Sequence, residues 1–419
     1  MEKIRFGILG GTRGMDFVKK VLLNHPYAEV VSICEAFKPL IEKIKSETDI
    51  NVFSDYDEFL ESGLDAVVIA NFANEHAPFA IKALNKGIHV YCENQPMQTM
   101  KEAVELCEAV EKSGKVYGYA ENYCYLPQVL EMRKIYQSGV LGEVMYAEGN
   151  FINDCSSRWH LLTRGDRNHW RNLVPSTFYC THSIGPMMYI TGRRAVNVVG
   201  METPLMNYMK EKGARSGSAA MEIMHFDNGA IAKSMNGNYR RDFMADYRII
   251  CENGTVETDL YDFGKIRVYD ASKEKYIDHE VTQDHVFDNI MPSGMDVKST
   301  APFALSDYYA LNTFILSVLG NEEAKSKLLD VYRALDMSTI GPLAYRSILN
   351  GSTPINVPDL RIQEQRDEWR NDNKSTDPKI SKGEDLLPSC KSGFVEVDDE
   401  VYARVAKEFF DVPVTIGMH

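Results

Sequence analysis

The chain alternates between short, wholly apolar runs and longer stretches with an apolar residue every three or four positions. Residues 4–9 (Ile-Arg-Phe-Gly-Ile-Leu) lead into the glycine turn Gly10-Gly11-Thr12-Arg13-Gly14. An amphipathic stretch over 15–23 follows, then a second apolar run over 29–34 that ends at Glu35. Further runs cover 52–53, 66–70, 89–92 and 115–119, with helical periodicity between them, as over 77–85 and 100–113. Continuously apolar strands suit a sheet covered on both faces, and strand–turn–helix alternation predicts a parallel, doubly wound α/β sheet. Residues 1–125 therefore read as one complete nucleotide-binding domain.

Beyond Pro127 the pattern changes. A helix is predicted over 129–138 and an alternating strand over 142–151. Strands over 195–200, 219–226, 230–235, 247–251, 255–260 and 265–269 follow without long helices between them. Turn signals such as Asp227-Asn228-Gly229 and Glu252-Asn253-Gly254 separate them. Residues 126–360 are thus expected to form an α+β substrate and oligomerisation domain with an open, mainly antiparallel sheet, and helices at 306–319 and 328–347. Residues 361–419 read as a charged C-terminal extension, solvated and partly disordered or laid over a neighbouring subunit, with a last helix over 401–410.

Composition narrows the function classes. A formal net charge of −14 repels phosphate backbones and argues against nucleic-acid partners. The 8 cysteines form no C-x-x-C pair and no regular framework, which suits a reducing cytoplasm. No signal-peptide pattern follows Met1, and no apolar run approaches the roughly 20 residues that span a bilayer. No metal is expected, because H-E-x-x-H and clustered Cys/His spacing are absent.

Polar residues gather where the parallel strands end, which is where such sheets bind ligands. The candidate cofactor-binding set is Gly10, Gly11, Thr12, Arg13 and Gly14 at the first turn, and Glu35 after the second strand. It continues with Asn71, Asn74 and His76, then Glu93, Asn94 and Gln95, then Glu121 and Asn122. The glycine turn departs from G-x-G-x-x-G, with Thr12 and Met15 at its second and third glycine positions. A carboxylate at Glu35 would accept from ribose hydroxyls and repel a 2′-phosphate, which selects NAD over NADP. Mid-chain, Tyr179, Thr181 and His182 precede Gly185-Pro186 and form a candidate substrate face.

These residues carry a family resemblance. Phe6-Gly7-Ile8-Leu9-Gly10, Asn74-Glu75-His76-Ala77-Pro78, the run from Ala83 to Glu93, Leu141-Gly142-Glu143-Val144 and His169-Trp170-Arg171 ahead of His182 resemble the Gfo/Idh/MocA oxidoreductases. The resemblance implies an NAD-linked Rossmann domain, a sugar or polyol substrate and a homo-oligomer, dimer or tetramer, through the C-terminal sheet. Two positions depart from the family. Glu93-Asn94-Gln95-Pro96 lacks its catalytic lysine, and Phe178 stands where its aspartate precedes the histidine. A glycosidase branch, the NAD-dependent α-N-acetylgalactosaminidases, is similar in both respects. It resembles this chain at Tyr179-Cys180-Thr181-His182, Gly185-Pro186, Glu121-Asn122, Asp307-Tyr308, Asp330-Val331-Tyr332, Gly341-Pro342-Leu343-Ala344 and the run from Asn350 to Leu360. The glycine turn and 158–168 do not match closely, so the substrate is not carried over.

The resemblance implies catalytic roles for His182 and Tyr179 and substrate contacts from Tyr123, His160, His169, Trp170, Arg171, Thr181 and Tyr308. The favoured reading is redox-neutral glycoside cleavage that begins with hydride transfer from a ring CH–OH, at C3, to NAD. A net sugar or glycoside 3-dehydrogenase is the alternative, and a non-catalytic NAD- and sugar-binding protein is the alternative of another class.

Overall fold

The computed structural model describes residues 3–260, 262, 264–281 and 302–413. The chain divides into two compact units: 1–127 with 283–335 and 414–419, and 128–282 with 336–413.

The first unit is built on six parallel strands: β1 Ile4–Leu9, β2 Ala28–Cys34, β3 Asn51–Phe53, β4 Ala66–Ile69, β5 His89–Cys92 and β6 Tyr117–Tyr119. Their order is β3-β2-β1-β4-β5-β6, so the direction of winding reverses between β1 and β4. Every residue of β4 is buried, as its unbroken apolar run requires. Helix Met100–Ser113 shows how sharply the chain writes its own boundaries. Thr99 and Glu102 form a reciprocal capping box at its start, and Gly114 ends it at φ +63°.

The helix Pro302–Val318 belongs to this unit, although the sequence assigned the stretch to the second domain. Phe314 explains why. Its ring meets Phe6 of β1 at 6.3 Å and Tyr91 of β5 at 5.3 Å between centroids, so the helix buries part of the parallel sheet.

The second unit carries a nine-stranded sheet of order β14-β13-β12-β11-β7-β10-β9-β8-β15. The strands are β7 Val144–Ile152, β8 Ala195–Glu202, β9 Ala219–Phe226, β10 Ile231–Gly237, β11 Met244–Cys251, β12 Gly254–Thr258, β13 Lys265–Asp270, β14 Lys275–Glu280 and β15 Ile355–Asn356. Neighbours are antiparallel except β7 and β10. The edge strand β14 was not expected from the sequence. Its Lys-Tyr-Ile-Asp-His-Glu is mostly charged or polar, as solvent-facing edges tend to be. The single helix expected over 328–347 is instead two, Val331–Ser338 and Ile340–Leu349. Pro342 lacks the amide that would bond Ser338 and crowds that carbonyl, so the helix restarts there.

Residues 361–413 are not a solvated extension; residues 414–419 of that stretch lie outside the described residues. Arg346 forks onto Asp372, with Nη1 at 2.8 Å from one oxygen, and Arg361 reaches Asp336 at 2.7 Å. Arg366, Thr376 and Asp377 are buried, and Tyr402 of the helix Asp399–Phe410 donates to the carbonyl of Gly213 at 3.0 Å. The charges that made the stretch look solvated are turned inward onto partners within this unit.

Candidate functional site

The sequence-predicted residues fall into two groups, one in each unit.

In the first unit, the end of β1 runs into the glycine turn. Gly10 has φ +100°, and a Cβ there would stand 2.4 Å from the Ala70 carbonyl oxygen. A Cβ on Gly14 would meet Ile8 Cγ2 at 2.4 Å, so the helix Arg13–Lys20 lies against its strand only because Gly14 has no side chain. Thr12 occupies the N-cap without capping through its hydroxyl. Glu35 closes the turn: one carboxylate oxygen accepts from the Gly11 amide at 2.7 Å and the other from the Phe37 amide at 2.8 Å. A bare turn, close helix–strand packing and a carboxylate at the end of β2 fit a dinucleotide with an unphosphorylated ribose.

Arg13 does more than was expected of it. Its Nη atoms grip both oxygens of Asp307 at 2.8 and 2.6 Å, and its Nε donates to Glu93 at 2.5 Å. Burial works against its charge, but Glu93 and Asp307 outweigh it and hold the guanidinium well above its ordinary pKa. Asn122 donates to the same Asp307 at 3.0 Å. Asp307, which the sequence marks only as part of the pair Asp307-Tyr308, thus ties Arg13 of the glycine turn to Asn122 after β6. Its neighbour Tyr308, expected to touch substrate, is 2 % exposed and packs against His25 and Tyr309.

The loop after β5 is fixed from beneath. His76 is buried, with Nδ1 2.7 Å from the Gln95 carbonyl and Nε2 3.3 Å from that of Asn71. Burial, chiefly, lowers its pKa, so the neutral ring acts as a brace for Gln95. Asn71 also donates to Glu75 at 3.1 Å. Asn74 is buried at the start of the next helix. Asn94 donates to the fully buried Glu121 at 3.0 Å, and Glu121 in turn accepts from the Tyr123 amide at 3.3 Å. The Tyr123 ring lies 5.6 Å from Phe303.

In the second unit, aromatic rings and a cation gather around the start of the helix Thr181–Thr191. The Arg171 guanidinium lies over Trp170 at 4.5 Å and over Tyr179 at 5.3 Å. The Tyr179 and His182 rings are 6.1 Å apart, and Phe151 meets His182 edge-on at 4.6 Å. Phe178 packs between Trp170 and Tyr179 as part of this wall. Thr181 is fully buried at the first position of the helix.

His169 and His160 take other places. His169 Nδ1 accepts from the Arg171 amide at 3.2 Å, and its ring stacks on Trp170. Burial, with Arg171, Arg164 and Lys379 nearby, pushes its pKa down to about 3, so it is a neutral brace for the loop. His160 approaches Glu408 of the C-terminal helix at 4.0 Å.

The helix itself is seated on the sheet. Gly149 of β7 leaves room for it, since a Cβ there would be 2.2 Å from the Ser183 carbonyl oxygen. Beneath, Ser183 bonds Ser234 at 2.6 Å, Ser234 bonds Glu222 at 2.6 Å, and Asn236 donates to the same carboxylate at 2.9 Å. Pro186 lies within the helix and has no amide for the carbonyl four residues back, which is that of His182. The Tyr247 hydroxyl donates to that carbonyl at 2.7 Å. Among the described residues no group of three His, Cys, Asp or Glu is placed to hold a metal ion, and no helix is long and apolar enough to cross a membrane. None of the eight cysteines is disulfide-bonded.

Fold and cradle together define a dinucleotide-binding Rossmann protein with an appended open sheet. More particularly, residues 4–121 match the Gfo/Idh/MocA model, described as "Oxidoreductase family, NAD-binding Rossmann fold", and this part of the first unit is an NAD-binding Rossmann fold. The chain is similar to a glycosyl hydrolase family 109 protein of Stenotrophomonas maltophilia, 22% identical over 86% of this chain and 89% of that one. It is also similar to an α-N-acetylgalactosaminidase of Bacteroides fragilis, 25% identical over 71% of this chain and 75% of that one. In fold it resembles an inositol dehydrogenase homolog of Azotobacter vinelandii complexed with NAD⁺, with a TM-score of 0.68 and 16% identity over 85% of this chain and 98% of that one.

Proposed function

We propose that this protein is an NAD-dependent enzyme that cleaves a glycoside without net consumption of cofactor. Gly10, Gly11, Thr12, Gly14, Glu35 and the strand-end loops at Asn71–Asn74, Asn94–Gln95 and Glu121–Asn122 would hold NAD, with Arg13 and Asp307 fixing the turn's position. Bound NAD⁺ supplies reversible oxidation of a ring CH–OH, assigned here to C3, and the resulting ketone makes the neighbouring C2–H acidic.

The observation that carries this reading is the approach of Tyr179 and His182, 6.1 Å between rings, with Arg171 over the tyrosine. An imidazole can take and return a proton near neutrality, and a phenol can do so with a positive neighbour. The two groups are assigned the C3 hydroxyl proton and the C2 proton. Loss of the latter expels the C1 substituent with its electron pair, water adds across C1 and C2 so that C2 regains a proton, and reversal of the C3 oxidation would return the ketone to the alcohol. Arg171 is the further substrate contact, whereas Trp170, 4% exposed, and Thr181, fully buried, are not the open contacts the sequence predicts and support the site from behind. Relatives named for glycoside hydrolysis over most of their length support this outcome.

Incubation of the full chain with aryl glycosides and NAD⁺ tests it. Release of the aglycone without accumulation of NADH is expected. Accumulated NADH with the glycosidic bond intact would replace this reading with a net dehydrogenase.

We also propose that copies associate through the outer face of the sheet. Tyr146, Ile231 and Ile250 lie side by side in register there, and Ile231 and Ile250 are 46% and 36% exposed. Light scattering of Ile231→Glu should show a smaller particle than the parent chain.

A further inference from the structure

Arg171 is half-buried and lacks the usual partner of such a guanidinium. Its guanidinium carbon lies 4.5 Å from the Trp170 ring centre and 5.3 Å from that of Tyr179, yet among the described residues no carboxylate or carbonyl accepts from its N–H groups. Other arginines of this unit differ: Arg346 forks onto Asp372, Arg361 forks onto Asp336 and Arg248 bonds Glu257 through Nε. In a chain of net charge −14, carboxylates are abundant, and among the described residues none is paired with Arg171.

Two further cations face the same loop. Arg164 and Lys379 both act through space on His169, the residue two before Arg171. Lys379 comes from the C-terminal stretch and, among the described residues, has no ion-pair partner of its own. His169, buried and with its pKa held down by burial and by these three cations, stays neutral and offsets none of their charge.

A half-buried cation without a counter-charge is free to take one from a ligand. A guanidinium held over aromatic rings with its N–H groups unclaimed matches the two oxygens of a carboxylate or sulfate. We infer that the substrate is an anionic sugar, a uronide or a sulfated glycoside, whose acidic group is taken by Arg171 with Lys379 in support. The inference deepens the proposed function and rests on that reading for the place of the site. It also gives the C-terminal stretch a role: it brings charge to the substrate loop.

The test pairs 4-nitrophenyl glycosides that differ only in the acid: galactoside against galacturonide and galactose 6-sulfate, and glucoside against glucuronide. With the full chain and NAD⁺, kcat/KM should favour the acidic member by roughly tenfold or more. Galacturonide and sulfate arms separate the two sources of charge. Arg171→Gln should erase the preference, and Lys379→Ala should raise KM for acidic sugars with kcat little changed. Equal or better turnover of the neutral partner would overturn the inference while leaving the proposed function intact. If no glycoside turns over, the proposed function fails instead. Calorimetry of free galacturonate and galactose with the NAD-loaded protein then decides the inference alone: tighter binding of the acid supports it, and no preference overturns it.

Discussion

The Tyr247 hydroxyl donates to the carbonyl of His182, to which Pro186, four residues on, has no amide to offer. The strand β11 thus fixes the backbone of the histidine we assign to catalysis. Tyr247→Phe should lower stability by about 1 kcal/mol in urea denaturation and slow turnover without changing NAD affinity. Pro186→Ala restores the missing amide donor, so the same Tyr247→Phe change should cost less in that background. Equal costs in both backgrounds would mean that the phenol contributes packing alone.

His182→Ala should abolish turnover and leave the dissociation constant for NAD nearly unchanged, as measured by fluorescence titration. A comparable loss of both would give His182 a structural role.

Arg13 offers the opposite test. Glu93 and Asp307 are largely buried around it, and Asp307 is 3% exposed. Arg13→Met leaves two carboxylates without their shared cation, and a loss of about 3 kcal/mol is expected in thermal or urea denaturation. Asp307→Asn keeps the shape and should cost less. A neutral Arg13→Met would show that the triad is unimportant to folding.

Glu222 predicts a pH dependence. Burial pushes its pKa up to about 7, against hydrogen bonds from Ser234 and Asn236 that work to lower it. A carboxyl with a raised folded-state pKa contributes fully below its unfolded pKa. Its contribution is lost as pH rises through the folded value, because the unfolded chain ionises first. The window therefore runs from the ordinary carboxylate range up to about pH 7. Glu222→Gln should gain stability relative to the parent chain as pH is raised through that window. Denaturation at pH 5 and pH 8 measures the difference, and an unchanged difference would place the carboxyl in a better solvated setting.

Much of the first unit was legible because buried parallel strands spell themselves out. The strands at 4–9 and 89–92 and the helix at 100–113 match their sequence-read bounds. The polar residues at the strand ends were legible for the same reason, since strand ends are local. Asp307 was not, because its partner Arg13 is 294 positions away and nothing in either neighbourhood announces the other. Tyr308 was misjudged beside it, as helix rotation decides which of two adjacent residues faces the turn. The edge strand β14 has too little apolar alternation to be seen. Residues 361–413 show the general difficulty: charge density reads as solvation until its partners, Arg346 and Asp336, are known.

The return of the helix Pro302–Val318 to the first unit has a consequence for synthesis. A growing chain that has emerged only as far as residue 127 holds all six parallel strands but lacks Phe314 over Phe6 and Tyr91, and Asp307 beside Arg13. Its nucleotide-binding half stays unfinished until more than 300 residues have been made, while the strands from β7 to β14 emerge in between. A fragment cut at the apparent domain boundary would therefore expose apolar sheet and carry a cradle whose arginine keeps Glu93 but lacks Asp307. Anyone wishing to isolate the cofactor domain must join 1–127 to 302–335 rather than stop at the first.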